Sequence, residues 1–78
     1  MTRYNLITKF NTFSGRTFLM QSDEPMPRQL AEEAREKFYL FIQKAKTEKA
    51  CGAIGSDDFR IDIQRIESVE VVLVEVEE

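Results

Sequence analysis

The segment Val69–Val76 (VEVVLVEV) constrains this chain more than any other stretch. Its density of β-branched residues makes it a strand. Alternation along a strand places Val69, Val71 and Leu73 on one face and Val72, Val74 and Val76 on the other. A strand that is apolar on both faces is covered from both sides, bulged, or pressed against another chain. The sequence has 78 residues, and a domain of that size buries only about 60% of the surface its unfolded chain exposes. The chain can lay one layer over such a strand; a second copy is the expected source of the other.

The remaining segments supply that first layer. Tyr4–Phe13 is rich in aromatic and β-branched residues, Ser14-Gly15 offers the positive-φ residue of a tight turn, and Arg16–Gln21 resumes the strand pattern. Leu6, Phe10, Phe18 and Met20 fall on one parity and Ile7, Phe13 and Leu19 on the other, so parity alone leaves the register open. Ser22–Pro27 breaks the pattern with acids and two prolines, which favour a helix start near Pro27. From there Leu30, Ala31, Ala34, Phe38, Phe41, Ile42 and Ala45 trace an apolar stripe to about Ala50, with Gly52 available as the left-handed stop. Cys51–Asp58 reads as a loop, Phe59, Ile61 and Ile63 alternate as a half-buried strand, and Arg65–Ser68 leads into the terminal strand.

The expected architecture is therefore a single α+β domain over residues 1–78, a two-layer sandwich in β-β-α-β-β order. A four-stranded antiparallel sheet carries one long helix on one face. Its parts are a hairpin over residues 1–22, a helix over 27–50 and a second hairpin over 57–78 with an acidic end. The uncovered face makes self-association the main structural expectation, with a dimer as its simplest form.

Composition narrows the chemistry. The chain has no histidine and one cysteine, Cys51, which removes imidazole acid–base catalysis, intrachain disulfides and cysteine- or histidine-rich zinc sites. Cys51 follows a helix C-terminus, where a thiolate gains nothing from the dipole. The serines and tyrosines have no neighbouring base in sequence. No enzymatic activity and no cofactor are expected. Residues 1–22 carry three basic groups and no acid, residues 23–50 are balanced, and residues 51–78 carry two basic groups against eight acids. Strands from the two ends can neutralise one another by cross-strand pairing, and a net charge of −3 disfavours general attraction to nucleic acid or to an anionic membrane. The longest apolar run, Val71–Val74, is far short of a membrane span. With no export-type leader in the first twenty residues, a reducing cytoplasmic setting is the expectation.

Two groups of residues stand out as candidate sites. Val72, Val74 and Val76, on the unexpected apolar face, and Tyr39 and Leu40, off the main helical stripe, are candidate contacts for a second copy or for another protein. Arg3, Lys9, Phe10, Phe13 and Arg16 interleave cations and aromatic rings in the first hairpin, the composition of a surface that stacks single-stranded bases. Asp57, Asp58 and Asp62 carry oxygen donors but lack the spacing of a calcium loop and read as turn and cap residues. Gly52-Ala53-Ile54-Gly55 matches a phosphate-approaching G-x-x-G but follows a helix and precedes a strand, so it reads as a helix stop and a turn. The chain is generally similar to small proteins encoded by bacteria and their phages, and no motif narrows that likeness. The first functional expectation is a non-enzymatic interaction module that self-associates; the alternative is a single-stranded nucleic-acid-binding module.

Overall fold

A computed structural model describes residues 2–76. The acidic end expected of Glu77 and Glu78 lies outside the described residues. Strand β1 (Arg3–Thr12) runs through the middle of a three-stranded antiparallel sheet between β2 (Thr17–Gln21) and β5 (Ile66–Val76). Helix α1 (Arg28–Thr47) connects β2 to a small separate hairpin, β3 (Ala53–Gly55) and β4 (Arg60–Asp62). A short 3-10 turn, Ile63–Arg65, then leads into β5. The α+β class, the single helix and the antiparallel sheet are as the sequence predicts.

The four-stranded sheet and the hairpin over residues 57–78 are not. Residues 60–62 pair backwards with 53–55, because Gly55 lets the two backbones meet: a Cβ there would lie 2.1 Å from the Phe59 carbonyl oxygen. Ser56 N–H donates to that same carbonyl at 3.0 Å and closes the turn. The stretch Ala53–Gly55 reads as loop because three residues with one apolar side chain carry no periodicity. Beyond β4, Asp62 accepts a hydrogen bond from Gln64 N–H at 3.0 Å and caps the 3-10 turn, which steers the chain away from β4. β5 then pairs with β1 along its length, so the two ends of the chain lie side by side in the sheet.

Register resolves the parity left open by sequence. Phe10 stands between Phe18 and Val69, Thr8 between Met20 and Val71, and Leu6 beside Leu73. These side chains face α1 and the β3–β4 hairpin. Phe10, Ile61 and Ile66 form the buried centre, with Phe18, Phe38 and Phe59 packed around it. Phe10 meets Phe38 and Phe59 edge-on, at centroid distances of 5.9 and 6.2 Å, and Phe59 stacks on Phe18 at 5.2 Å. The ladder between β1 and β5 slips between Asn11 and Thr12, which pairs with Ile66. There Thr12 turns into the β1–β2 connection, where its hydroxyl accepts from Arg16 N–H and meets the Ser14 hydroxyl at 2.9 Å. Gly15, at φ +87°, supplies the left-handed residue of that turn.

Helix α1 presses Ala31, Ile42 and Ala45 into the interior, two of them small enough for close approach to the sheet. Twenty residues give about 30 Å of helix. The ten and eleven residues of β1 and β5 extend about as far. Its C-terminus is pinned by side chains from the 3-10 turn and by its own lysine. Gln64 Nε2 donates to the carbonyls of Ala45 and Ala50, and Lys46 Nζ donates to the carbonyl of Ile66.

The helix ends at Thr47, five residues before Gly52. Ala50 N–H bonds to the Ala45 carbonyl and Lys49 N–H to that of Lys46, the paired closure of a Schellman motif. The left-handed residue is therefore Lys49, at φ +53°. A non-glycine residue there costs about 1–2 kcal/mol, partly offset by the smaller entropy it loses on folding. Lys49→Gly is expected to stabilise the protein by about 0.5–1 kcal/mol, read as a higher urea midpoint at unchanged slope; an unchanged or lower midpoint would show that the left-handed turn is not what limits this helix end.

Candidate functional site

Strand alternation turns Arg3, Asn5, Ile7, Lys9 and Asn11 away from the buried Phe10 and Thr8, onto the sheet face that neither α1 nor the small hairpin covers. Register places Ile7 between Gln21 and Val72, Lys9 between Leu19 and Glu70, and Asn5 beside Val74. The result is a diagonal apolar band, Leu19–Ile7–Val72–Val74, crossing all three strands. Leu19 is 62% exposed, Val72 53% and Val74 40%. Lys9 and Glu70 occupy opposing positions of the β1–β5 ladder beside this band.

The band extends to the edge of the sheet, because β5 is its outer strand. Part of that edge is closed by α1. Tyr39 Oη accepts the Val71 N–H at 2.7 Å, and Lys46 reaches the Ile66 carbonyl. Side chains thus satisfy groups that a neighbouring strand would otherwise take, which protects an edge from uncontrolled pairing.

The candidate interface residues separate accordingly. Val72, Val74 and Val76 share the uncovered face, with Val76 beside Arg3 at its far end. Tyr39 belongs to the β5 edge. Leu40 is exposed on the outer surface of α1, among Glu32, Glu36 and Tyr39, and joins neither. At the start of the same helix Arg28 Nε donates to Glu32 Oε1 at 3.1 Å, and that hydrogen bond and charge hold the guanidinium more firmly protonated than usual. Ile7 and Leu19 complete the band; their parity was legible in sequence, but their adjacency to Val72 depends on register.

The nucleic-acid candidates are dispersed. Phe10 is 0% exposed and offers no ring to a base. Phe13 is 67% exposed beyond the end of β1, with Lys46 Nζ 5.2 Å from its ring centroid. Arg16 lies in the β1–β2 turn, and Arg3 and Lys9 lie on the uncovered face, six residues or about 20 Å apart along β1. Cation and ring therefore meet at Phe13, through a lysine of α1. Asp62 is occupied as a cap, and among the described residues no three of His, Cys, Asp or Glu gather to hold a metal ion. Cys51 is free and exposed. Among the described residues no helix is long and apolar enough to cross a membrane.

On the opposite side of the sheet a groove of about 510 Å³ separates α1 from the β3–β4 turn. Leu6, Thr8, Met20 and Val71 form its floor, Ala34 and Phe38 the helix wall, and Gly55, Ser56 and Asp57 the other wall. Gln21, Ser22 and Asp23 close one end. Its residues come from five separated stretches of chain, so no local pattern could have signalled it.

By fold this is a small α+β domain whose three-stranded sheet is covered on one side only. No protein-family model, no curated protein and no solved structure matches the chain.

Replacing Tyr39 by Phe keeps the ring and removes the acceptor for Val71 N–H. The expected cost is about 1 kcal/mol, together with faster amide hydrogen exchange at Val71 than at the laddered residues of β1. Unchanged protection of Val71 would mean that the hydroxyl does not close this edge.

Proposed function

We propose that this protein is a non-enzymatic interaction module that self-associates through its uncovered sheet face, with β5 contributing Val72, Val74 and Val76. The observation that carries the reading is the apolar diagonal Leu19–Ile7–Val72–Val74, which has no intramolecular cover. A monomeric domain that solvates one sheet face alternates apolar and polar groups along each strand; β5 keeps valine at three successive outward positions instead. Burying one such side chain gives about 1.5–3 kcal/mol, and a domain of this length has little stability in reserve.

Geometry sets the strength of the contact. Two strands of ten and eleven residues and one of five, spaced about 4.8 Å apart, present a face of at most roughly 14 by 33 Å. That is smaller than the ~800 Å² per partner of a standard stable interface. Association is therefore expected to depend on concentration, with a dimer favoured at high protein concentration. A basic and an acidic group standing side by side, Lys9 and Glu70, leave the middle of the face without a like-charge cluster to oppose stacking.

Val72 and Val74 are exposed enough that Val72→Lys and Val74→Lys should change the stability of the isolated subunit by no more than about 0.5–1 kcal/mol. Light scattering across a concentration series is expected to show the parent chain gaining mass and the double variant remaining monomeric, with the same far-ultraviolet circular dichroism. A parent chain that stays monomeric at the highest concentration, or a variant that associates equally well, would overturn the assignment.

A further inference from the structure

Backbone groups along β5 alternate between the β1 ladder and the outer edge of the sheet. Ser22 N–H donates to the Leu6 carbonyl and Thr12 N–H to that of Arg16, so the even-numbered residues of β1 turn their backbone groups toward β2 and the odd-numbered ones toward β5. Asn5, Ile7 and Lys9 therefore bond with Val74, Val72 and Glu70. The N–H and C=O groups of Val69, Val71, Leu73 and Glu75 point the other way, out of the sheet edge. At Val71 the N–H is taken by Tyr39 Oη at 2.7 Å, and toward the start of the strand Lys46 holds the Ile66 carbonyl. Beyond Val71 this protection stops. Among the described residues β5 is the outer strand, and no hydrogen bond reaches the outward groups of Leu73 or Glu75.

The open stretch is self-complementary. Val72 and Val76 lie symmetrically about Val74. A second copy laid antiparallel along the edge, with a two-fold axis at Val74, brings Val72 opposite the partner's Val76 and Val74 opposite the partner's Val74, cross-strand pairs of β-branched residues. In that register Leu73 and the partner's Glu75 exchange backbone hydrogen bonds, and the groups used are ones the single chain leaves free. The neighbouring registers are worse. Pairing Leu73 with the partner's Leu73 calls on the Val71 N–H, which Tyr39 holds. Pairing Glu75 with the partner's Glu75 sets like charges directly opposite.

We infer that the edge of β5 pairs with the same edge of a second copy, joining two three-stranded sheets into one continuous antiparallel sheet through Leu73 and Glu75. The two-fold axis stands perpendicular to the sheet, so both helices lie on one side and both apolar bands on the other. Valines of the two copies meet at the seam, and the two Leu19–Ile7–Val72–Val74 bands become one surface. The joined face offers at most roughly 900 Å², which reaches the ~800 Å² per partner that a single face lacks. The edge contact is made by the backbone of β5 alone and stands without the stacking proposed above; only the stacking of two joined sheets rests on that reading.

Two single exchanges separate the contacts. Glu75→Pro removes one outward N–H and breaks no bond to β1, whereas Leu19→Lys charges the face on β2, away from the seam. With the full parent chain, NMR-detected hydrogen exchange is expected to show the Leu73 and Glu75 amides slowing about tenfold or more as protein concentration rises. A proximity signal between the Hα atoms of Val72 and Val76 is expected in the same samples, since these residues lie about 13 Å apart within one strand and face each other only across the seam. Leu19→Lys should keep both effects. Glu75→Pro should lose the Leu73 protection and the Val72–Val76 signal while the amides of the β1–β5 ladder stay protected. Leu73 and Glu75 exchanging at one rate at every concentration would overturn the self-pairing and leave the edge to a strand of another protein, and a Val72–Val76 signal that survives Glu75→Pro would overturn it too. A parent chain that gains mass without either effect would keep the stacked face and remove the edge; both effects persisting in Leu19→Lys at the mass of two copies would establish the edge without stacking.

Discussion

The ring of Phe10 stands where every layer of the molecule meets. Its own strand is the middle of the sheet, Phe18 and Val69 flank it on the two neighbouring strands, Phe38 reaches it from α1, and Phe59 reaches it from the β3–β4 turn. It is fully buried. Truncating a ring of that size costs about 3–5 kcal/mol, comparable to the entire stability of many domains this small. The sheet register, the seat of α1 and the fold-back of the small hairpin all depend on this cluster, because each contributes one apolar group to it. A chain with so few buried residues has no second cluster to compensate.

That arrangement explains why two surfaces remain available. The helix and the small hairpin converge on Phe10 from either side, over the same face of the sheet. Where they converge, Phe38 and Phe59 close the space; away from it, the helix and the β3–β4 turn diverge and leave the groove floored by Leu6, Thr8 and Met20. No element remains to cover the reverse face. The groove and the uncovered face are thus consequences of one economy: two small layers cannot cover a three-stranded sheet completely. They differ in chemistry as well as in position. The reverse face is a broad, shallow band suited to another flat surface, whereas the groove is a concave space of about 510 Å³ between α1 and the β3–β4 turn.

The edge of β5 is handled by α1. Tyr39 and Lys46 leave the helix stripe to bond the backbone of Val71 and Ile66, so the helix both packs on the sheet and supplies polar groups to its open side. In the sequence Tyr39 appears as an exposed aromatic residue off the helical stripe and suggests a contact for a partner. Its hydroxyl is instead engaged within the molecule, and this is evident only when the strand beneath it is known. The same holds for Gln64, a polar residue in a connecting segment that satisfies two carbonyls at the end of α1.

The sequence by itself determined the elements with strong periodicity and the two faces of the terminal strand. Alternation in Val69–Val76 separated Val69, Val71 and Leu73 from Val72, Val74 and Val76, and the structure turns the first set inward and the second outward. The helical stripe fixed α1, because a 3.6-residue period over some twenty positions has no competing reading. Tertiary structure decided what local pattern cannot encode. The β3–β4 hairpin depends on a backbone approach at Gly55, the helix stop on a left-handed lysine, and the burial of Phe10 on rings supplied by α1 and the β3–β4 turn. The groove around Thr8 exists only because segments distant in sequence are held apart at one end and together at the other. Periodicity reports which side of an element is apolar; only packing decides what comes to lie against it.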